Sequence, residues 1–351
     1  MALRDNKSSA RTPVVVAIRF SAMGDVLIAV PVICAVCREY PDTKFVFVTR
    51  TGFGRLFLDP PSNLTIVEWD LKKEARNVVG VVRLALRLFA NYRTTAFADL
   101  HDVIRSRAVG LVAALCHVPS AVIQKDRRLK KLLVSKGADA FGKPLLTTVE
   151  RYARVFARLG YNLSGEIISP ETRASGPGAV PAIGIAPFAA HPGKIYPTEL
   201  MEKVVDSLIS KGYRIFLFGA PGNEQALLDS WAAKDPAHVV SMPSLGLGLD
   251  GELKFMRSLD LMVAMDSGNM HMASLAGVPV VSVWGATHPY AGFAAPMARE
   301  DLRVQVDLPC RPCSVFGNRP CRQPGEPYGC LTHITPAMIL RKIDLALART
   351  N

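Results

Sequence analysis

The sequence contains no hydrophobic run long enough to cross a lipid bilayer. Its longest apolar stretch, residues 26–36, is interrupted by Pro31 and is far shorter than the ~20 residues that a membrane-spanning helix needs. Residues 1–12 are polar and of mixed charge, without the apolar core and cleavage site of a secretory signal peptide. These absences predict a soluble protein of the cytoplasm.

Motifs for two common classes of ligand are absent as well. No G-x-G-x-x-G follows the first predicted strand, where a dinucleotide-binding domain would carry it. The chain also lacks the C2H2 spacing, the aromatic RNA-binding motif and the basic zipper region of nucleic-acid-binding proteins. We therefore expect no nucleic-acid partner.

Positive charge is in excess, and nucleic acid does not account for it. The chain carries 42 Lys and Arg against 30 Asp and Glu, a formal net charge of +12. The basic residues are spread along the sequence, with one dense cluster at residues 125–136. Such an excess favours anionic partners, among them phosphorylated substrates and a negatively charged membrane face.

Length and composition predict two folded domains. A chain of 351 residues exceeds one ordinary core, and 49% hydrophobic with 21% charged residues is typical of a packed globular protein. A Pro- and Gly-rich linker at residues 169–181 divides the chain. The predicted domains are residues 1–176 and 177–351.

On both sides of this linker, apolar strands alternate with helices. The predicted strands are residues 14–20, 45–49, 64–69, 95–100, 121–124, 182–186, 214–219, 239–240, 261–265 and 278–284. Helices are predicted from the turn at residues 21–25 to about residue 40, and at 77–91, 105–116, 197–211, 223–233, 251–257 and 270–276. The alternation predicts an α/β protein with two Rossmann-like domains facing across a cleft, where loops at the carboxyl ends of strands carry the chemistry.

The loop after the predicted strand 261–265 is the first candidate site. Asp266, Ser267 and Gly268 open a helix that continues through His271, and either Asp266 or Ser267 can cap it. The free N–H groups of a helix start suit a diphosphate, and Gly268 permits close approach of the backbone. The alternative is a plain helix cap with a histidine on the helix surface.

The turn after the first strand is the second candidate site. It places Ser21, Gly24 and Asp25 at the start of a helix. The helix dipole stabilises a carboxylate there as the anion, which is the form that a general base needs. The alternative is a capping aspartate without a chemical role.

Two loops of the second half carry the remaining candidates. Lys194 lies in a Pro- and Gly-containing loop, where it can neutralise a departing phosphate, although a loop lysine is more often only solvated. Glu224 follows a Gly/Pro turn, where it can accept hydrogen bonds from ribose hydroxyls or complement a helix dipole.

Together, in this order, the four segments resemble the heptosyltransferase family of bacterial glycosyltransferases. The resemblance extends to Asp99-Leu100-His101, Arg105-Ser106, Glu150-Arg151-Tyr152, Cys310-Arg311-Pro312-Cys313, Cys321, Cys330-Leu331-Thr332 and Ile334-Thr335-Pro336. It implies the two-domain GT-B fold, with an acceptor-binding first domain and a nucleotide-sugar-binding second domain. It also implies inverting, metal-independent transfer from ADP-heptose, so that no cofactor is required and the ADP-sugar is a substrate.

The resemblance assigns roles to individual residues. Asp25 would be the base that deprotonates the acceptor hydroxyl, and Lys194 would stabilise the leaving diphosphate. The donor would be bound by Ser21, Gly24, Lys194, Glu224, Asp266, Ser267, Gly268 and His271. An anionic acceptor, a lipid A–core intermediate at the inner membrane, would meet Arg105, Lys125, Arg127 and Arg128, with the protein peripheral on the cytoplasmic face.

One absence agrees with a metal-independent reaction. The sequence contains no D-x-D pair, the arrangement common in metal-dependent glycosyltransferases, so the leaving-group charge would fall to Lys194 and backbone N–H groups. The alternatives are a non-catalytic nucleotide-sugar-binding module and a sugar-nucleotide epimerase or hydrolase on the same two-domain scaffold.

Four of the seven cysteines lie close together near the C-terminus. Cys310, Cys313, Cys321 and Cys330 are spaced C-x2-C, C-x7-C and C-x8-C. Four thiolates satisfy tetrahedral zinc, so a structural zinc site is one interpretation. Free thiols in a reducing cytoplasm and disulfides that pin a long loop are the others.

Overall fold

The structure is a computed structural model that describes residues 12–165, 167 and 180–348. These residues form two compact units. The first contains the described residues of Met1–Gln124 and Val149–Ile167, and the second those of Lys125–Thr148 and Ile168–Asn351. The predicted boundary between residues 176 and 177 lies outside the described residues, as does nearly all of the predicted linker.

Each unit is built on its own parallel sheet. In the first unit the sheet contains five strands: β1 (Val14–Ile18), β2 (Lys44–Arg50), β3 (Leu64–Trp69), β4 (Ala96–Asp99) and β5 (Ser120–Val122). The second sheet contains six: β6 (Ala182–Ala186), β7 (Arg214–Leu217), β8 (Val239–Ser241), β9 (Leu261–Met265), β10 (Val280–Val283) and β11 (Arg303–Val304). β1, β6 and β9 are buried along their whole length, which explains their continuous apolar sequences.

Helices follow most strands. They are α1 (Met23–Glu39), α2 (Val78–Tyr92), α3 (Ile104–Leu115), α4 (Arg127–Lys136), α5 (Ala138–Phe141), α6 (Thr148–Ala157), α7 (Thr198–Ser210), α8 (Asn223–Ala232), α9 (Gly248–Met256), α10 (Gly268–Leu275), α11 (Gly329–Thr332) and α12 (Pro336–Leu347). Local sequence sets several boundaries. The side chain of Asn77 accepts the Gly80 N–H at 2.9 Å to cap α2, and α12 begins at Pro336, a position that suits proline.

Strand order decides which face each helix covers. In the first sheet the order is β3-β2-β1-β4-β5. Right-handed crossovers therefore place α1 on one face and both α2 and α3 on the other. Val81 and Leu88 of α2, with Val109 and Val112 of α3, pack on Val16 and its neighbours in one buried cluster.

The second sheet has the order β11-β10-β9-β6-β7-β8. Its core brings together side chains from the strands with those of α7, α8 and α12, among them Met201, Trp231 and Ile339. The buried Tyr196 hydroxyl donates to the Ile334 carbonyl at 2.7 Å, which ties the loop after β6 to the segment before α12.

Residues 125–148 pack with the second unit. The backbone N–H of Ala138 donates to the Arg311 carbonyl at 2.9 Å, and that of Leu145 donates to the Tyr290 carbonyl at 2.9 Å. This division differs from the predicted one, which placed the segment in the first domain. Its partners lie about 150 residues further along the chain, where a local pattern gives no sign of them.

The predicted elements agree closely with the structure. All ten predicted strands are present, with ends within two residues of those observed. The prediction omitted β11, α4, α5, α6, α11 and α12. Within the part of the chain that the structure describes, no helix is both long and apolar enough to cross a membrane.

Candidate active site

The predicted residues of the first unit lie beside β1 and β4, the two neighbouring strands from which the chain continues towards opposite edges of the sheet. β2 and β3 extend the sheet on one side of β1, whereas β4 and β5 extend it on the other. Loops that follow the two strands at such a point are where open α/β sheets bind ligands. Asp25 lies in the first turn of α1, the helix that follows β1, and His101 lies in the loop that follows β4.

Arg19, just after β1, holds the Asp25 side chain. Its Nη2 forms an ion pair with Asp25 Oδ2, and its Nη1 donates to the Leu100 carbonyl at 2.7 Å. Among the described residues, its buried Nε has no hydrogen-bond partner. The Arg19 side chain is 7% exposed and that of Asp25 is 27% exposed, so a buried guanidinium fixes a carboxylate that a ligand can still reach.

Two further contacts fix the start of α1. The Ala22 N–H donates to Asp25 Oδ2 at 3.3 Å, and the buried Tyr152 hydroxyl donates to the Asp25 carbonyl at 3.2 Å. Burial raises the pKa of Tyr152, so its hydroxyl remains a hydrogen-bond donor. Tyr152 belongs to one of the segments that resemble the heptosyltransferase family, and its hydrogen bond supports the start of α1.

The loop after β4 borders the same turn. Ser21 Oγ lies 3.4 Å from His101 Nε2, and Gly24 is half-buried in the first turn of α1. The Asp99 carboxylate accepts the backbone N–H groups of His101 and Asp102 at 2.8 and 2.9 Å, while burial raises the pKa of Asp99. Asp99 therefore shapes the loop that carries His101.

In the second unit the strand order reverses between the neighbouring strands β6 and β9. The predicted Lys194 lies in the loop after β6, and Asp266 directly follows β9. Lys194 Nζ lies 3.0 Å from Asp266 Oδ2, and both side chains are largely buried. Thr287, after β10, donates its hydroxyl to the same oxygen at 2.8 Å. The three side chains form a cluster that we call the Lys194 cluster.

The helix that follows Asp266 begins as predicted. Ser267 is the residue before α10, and Gly268 is its first residue. The Ser267 side chain makes no cap bond, and its buried Oγ has no hydrogen-bond partner within the described part of the chain. The first N–H groups of a helix have no intrahelical acceptors, so this hydroxyl and these groups suit an anionic ligand. His271 is buried in the first turn.

Two glycines let the chain close around Lys194. The Ala286 N–H donates to the Gly193 carbonyl at 2.8 Å, and a Cβ on Gly193 would lie 2.8 Å from the Ala286 Cβ. Gly317 has a φ of +75°, and a Cβ there would lie 2.6 Å from Lys194 Cδ. A side chain at either position would displace the loop that holds the lysine.

Arg311 holds the loop after β10, which contains Thr287 of the Lys194 cluster. Its buried guanidinium donates to the carbonyls of Gly285 at 2.7 Å, Thr287 at 3.1 Å and Trp284 at 3.3 Å. These residues follow β10 and include the threonine that contacts Asp266. Arg311 belongs to a segment that resembles the family, but the resemblance assigned it no role. Thr287 was missed, because its partner lies 21 residues away in another loop.

Glu224 lies in the first turn of α8. Its carboxylate accepts the Ala220 N–H at 2.7 Å, a contact that closes the turn after β7. This geometry agrees with the alternative in which Glu224 supports a helix start. Its hydrogen bond to a ribose stays a prediction.

The four predicted acceptor-binding residues do not share one unit. Arg105 is exposed on α3 in the first unit, whereas Lys125, Arg127 and Arg128 lie at or just before the start of α4 in the second. The expectation that acceptor contacts come from the first domain therefore does not extend to these three basic residues.

The late cysteines are free. None of the seven cysteines forms a disulfide, and burial raises the pKa of Cys330 to about 11. In residues 12–165, 167 and 180–348, no group of three or more His, Cys, Asp or Glu side chains is placed to hold a metal ion. Cys310, Cys313, Cys321 and Cys330 all fall within this range and are not paired in disulfides, and a structural zinc site stays a prediction.

Known proteins match this architecture over most of its length. The sequence profile of glycosyltransferase family 9 (heptosyltransferase) matches residues 87–320. Lipopolysaccharide heptosyltransferase 1 of Pseudomonas aeruginosa is 23% identical over 311 residues, 85% of each chain. A glycosyl transferase family 9 structure from Veillonella parvula superposes with a TM-score of 0.69 at 17% identity, covering 97% of this chain and 98% of that one.

A second solved structure supports the same fold. The E. coli heptosyltransferase WaaC with ADP has a TM-score of 0.62 at 19% identity, covering 96% of this chain and 99% of that one. The predicted α/β fold of two Rossmann-like domains is thus confirmed. Since the family profile spans more than half of the 351 residues, the chain belongs to glycosyltransferase family 9, the heptosyltransferase family, and is a glycosyltransferase.

Proposed function

We propose that the chain transfers a heptose from ADP-heptose to the inner core of lipopolysaccharide, with inversion at the anomeric carbon and without a metal ion. The Lys194 cluster carries this proposal, because it places a cation beside the start of α10, where a diphosphate is favoured. The names of the relatives agree with it: one is a lipopolysaccharide heptosyltransferase, and one heptosyltransferase structure contains ADP.

On the donor side, the diphosphate lies at the start of α10. Gly268 allows the backbone to approach it, the Ser267 hydroxyl donates to it, and His271 lies one turn further on. As the bond between the anomeric carbon and the phosphate oxygen breaks, its electron pair stays on ADP. Lys194 and the helix N–H groups stabilise that charge. Glu224 holds the ribose.

On the acceptor side, Asp25 is the general base. It accepts the hydroxyl proton as the acceptor oxygen attacks the anomeric carbon from the face opposite the diphosphate, and the configuration inverts. Arg19 and the Ala22 N–H hold the carboxylate in one orientation. Acidic groups of the acceptor meet basic side chains, for which we retain Arg105, Lys125, Arg127 and Arg128.

The central test is transfer by the purified protein. With ADP-heptose and an inner-core acceptor it should release ADP and form a product whose new anomeric centre has the opposite configuration to the donor. Asp25→Asn should lower kcat by about 10³-fold, since general base catalysis is worth 10² to 10⁴. Asp42→Asn, an exposed carboxylate just beyond α1, is the matched control and should leave kcat unchanged.

Other outcomes would favour the two alternative functions. Thermal stabilisation by ADP-heptose without any ADP release would indicate a binding module. ADP release that proceeds equally without acceptor would indicate a hydrolase. Stabilisation by UDP- or GDP-sugars in place of ADP-heptose would contradict the proposed donor.

Metal independence has its own test. Because Lys194 and the start of α10 supply the positive potential, ADP release should continue unchanged in the presence of a chelator. Stimulation of kcat by added Mg²⁺ after chelation would contradict this part of the proposal.

We place the reaction at the cytoplasmic face of the inner membrane, with the protein bound peripherally. The support is the net charge of +12 and the lipid-linked nature of the proposed acceptor. Fractionation of the source cells should recover the protein both in the soluble fraction and, released by salt, from inner membranes.

A further inference from the structure

Exposed apolar side chains of the described residues concentrate on two neighbouring helices. Thirteen large hydrophobic side chains are exposed, and six of them lie on α2 and α3: Val78, Val79, Leu86, Ile104, Leu111 and Leu115. The two helices pack against each other on the same face of the first sheet. We call the outward surface of this pair, with Arg83 and Arg87, the α2–α3 face.

The exposed residues of α3 form a line along the helix. Ile104, Leu111 and Leu115 are 78%, 62% and 74% exposed. Spacings of seven and four residues place them on one side of a helix. The opposite side of α3 carries Val109 and Val112, which are buried in the core. Burial on the sheet therefore accounts for one side of α3 and leaves the other apolar and uncovered.

On α2 the exposed apolar residues are bordered by arginines. Val79 and Leu86 are exposed and seven residues apart, so they share one side of the helix. Arg83 and Arg87 lie on the adjoining side and are exposed. Leu88 points the other way into the core.

Both helices lack negative charge altogether. The sequence contains no Asp or Glu between Glu74 and Asp99, and none between Asp102 and Asp126. Arg105 and Arg107 add positive charge on α3. Arg107 pairs with Asp102, whereas Arg83 and Arg87 form no ion pair with any described residue. The α2–α3 face thus combines exposed leucine and isoleucine with cations only.

We propose that the α2–α3 face docks on an anionic phospholipid bilayer. Its apolar side chains enter the interfacial region, and its arginines meet lipid phosphates, which is how cationic amphipathic surfaces bind membranes. The inference deepens the proposed function, because a lipid-linked acceptor presents its sugars at such a surface.

A second copy of the chain fits this face less well. A two-fold contact brings identical patches together, so the arginines of one copy would meet those of the other with no carboxylate on either helix to pair with. A bilayer that contains anionic lipid supplies the missing charge and also accepts the apolar side chains.

The test is co-sedimentation of the full chain with lipid vesicles. The protein should bind vesicles made of equal parts phosphatidylcholine and phosphatidylglycerol, bind phosphatidylcholine alone more weakly, and dissociate as salt is raised. Arg83→Gln and Arg87→Gln should each weaken binding about fivefold. Leu111→Gln with Leu115→Gln should weaken it about tenfold, and glutamine retains helix propensity.

Matched controls lie on the second unit. Arg341→Gln replaces an exposed arginine on α12, and Leu245→Gln replaces an exposed leucine after β8. Both should bind vesicles as the unchanged chain does. Circular dichroism and unfolding midpoints establish that every variant is folded.

Two results would overturn the proposal. One is equal vesicle binding by the α2–α3 face variants and the controls. The other is a self-associated chain that Leu111→Gln with Leu115→Gln converts to a monomer in sedimentation velocity, with vesicle binding unchanged, because a second copy would then cover the face.

A separate measurement distinguishes this proposal from the proposed function. Transfer to a deacylated, water-soluble core acceptor should be the same in all of these variants. Vesicle binding without any transfer by the unchanged chain would contradict the proposed function alone. Transfer without vesicle binding would contradict the docking surface alone.

Discussion

The two units place their candidate residues at equivalent points but enclose them differently. Each uses loops after neighbouring strands where the sheet order reverses. In the first, Asp25 depends mainly on Arg19 and remains partly exposed. In the second, Lys194 is buried with Asp266 inside a frame of glycines and Arg311. A base must reach a mobile acceptor, whereas a cation that stabilises a leaving group acts best when its position is fixed in advance.

The largest expected effect tests the second unit. Lys194→Met removes the charge and keeps most of the side-chain length, so kcat should fall about 10³-fold, or about 4 kcal/mol of transition-state stabilisation. Lys203→Met, on the exposed side of α7, is the control. A Lys194→Met enzyme with kcat within fivefold of the unchanged chain would remove the leaving-group assignment.

Loss of the Arg311 hydrogen bonds in the second unit should have the next largest effect. Arg311→Met leaves several buried carbonyls without a donor, so the free energy of unfolding should fall by about 3 kcal/mol. Arg311→Lys should not restore it, because an ammonium group cannot present the planar donors of guanidinium. Urea denaturation measures both, with the exposed Arg341→Met as control. Full rescue by lysine would argue that charge alone is required.

Arg19 of the first unit should tolerate substitution better than Lys194. Arg19→Met should lower kcat about 10²-fold through loss of Asp25 positioning, with a smaller change in the KM for ADP-heptose because the Lys194 cluster lies in the second unit. Arg19→Lys should recover part of kcat, since it can restore the ion pair. A rise in KM with kcat unaltered would place Arg19 in binding and break the comparison between the units.

The smallest effect is a pH dependence of stability in the second unit. Burial, with the charges of Arg311 and Arg303 adding to it, lowers the pKa of His288 to about 4, against about 6.5 in an unfolded chain. Between these values only the unfolded state binds the proton. The stabilisation is complete above pH ~6.5 and is lost as the pH falls towards ~4, on the order of 2 to 3 kcal/mol.

His288→Asn should remove this dependence. Asparagine can still accept the Tyr290 N–H that His288 Nδ1 now accepts at 3.1 Å, but it does not titrate. Unfolding free energies measured at pH 7 and pH 4 should therefore differ less for the variant. Equal losses in both proteins would assign the acid sensitivity to other groups.

The candidate residues that could be predicted stand in strand–turn–helix segments. Asp25 and Asp266 each follow an apolar strand and precede a helix, and both features are local in sequence. Their long-range partners could not be read in this way. Arg19 was visible beside Asp25, but its second acceptor is the carbonyl of Leu100, 81 residues further on.

The same distinction explains the errors in the fold. The strands were found because buried parallel strands are continuous apolar runs. α4 was missed because its sequence is dominated by charge, and only its packing with residues near 290 reveals where it belongs. α12 was not predicted although its sequence carries a readable signal, with Pro336 at its start and Ile339 and Ile343 four residues apart on its buried side.

Residues 125–148 belong to the second unit although the chain afterwards returns to the first unit. This has a practical consequence for building hybrid proteins from two relatives. The chain leaves the first unit after Gln124, returns at Val149 and leaves again after Ile167. A graft of the second half alone would leave behind residues 125–148, and the backbone bonds of Ala138 and Leu145 to Arg311 and Tyr290 would be lost. Transplanting the second unit as a whole thus means exchanging two separate stretches of gene, not one.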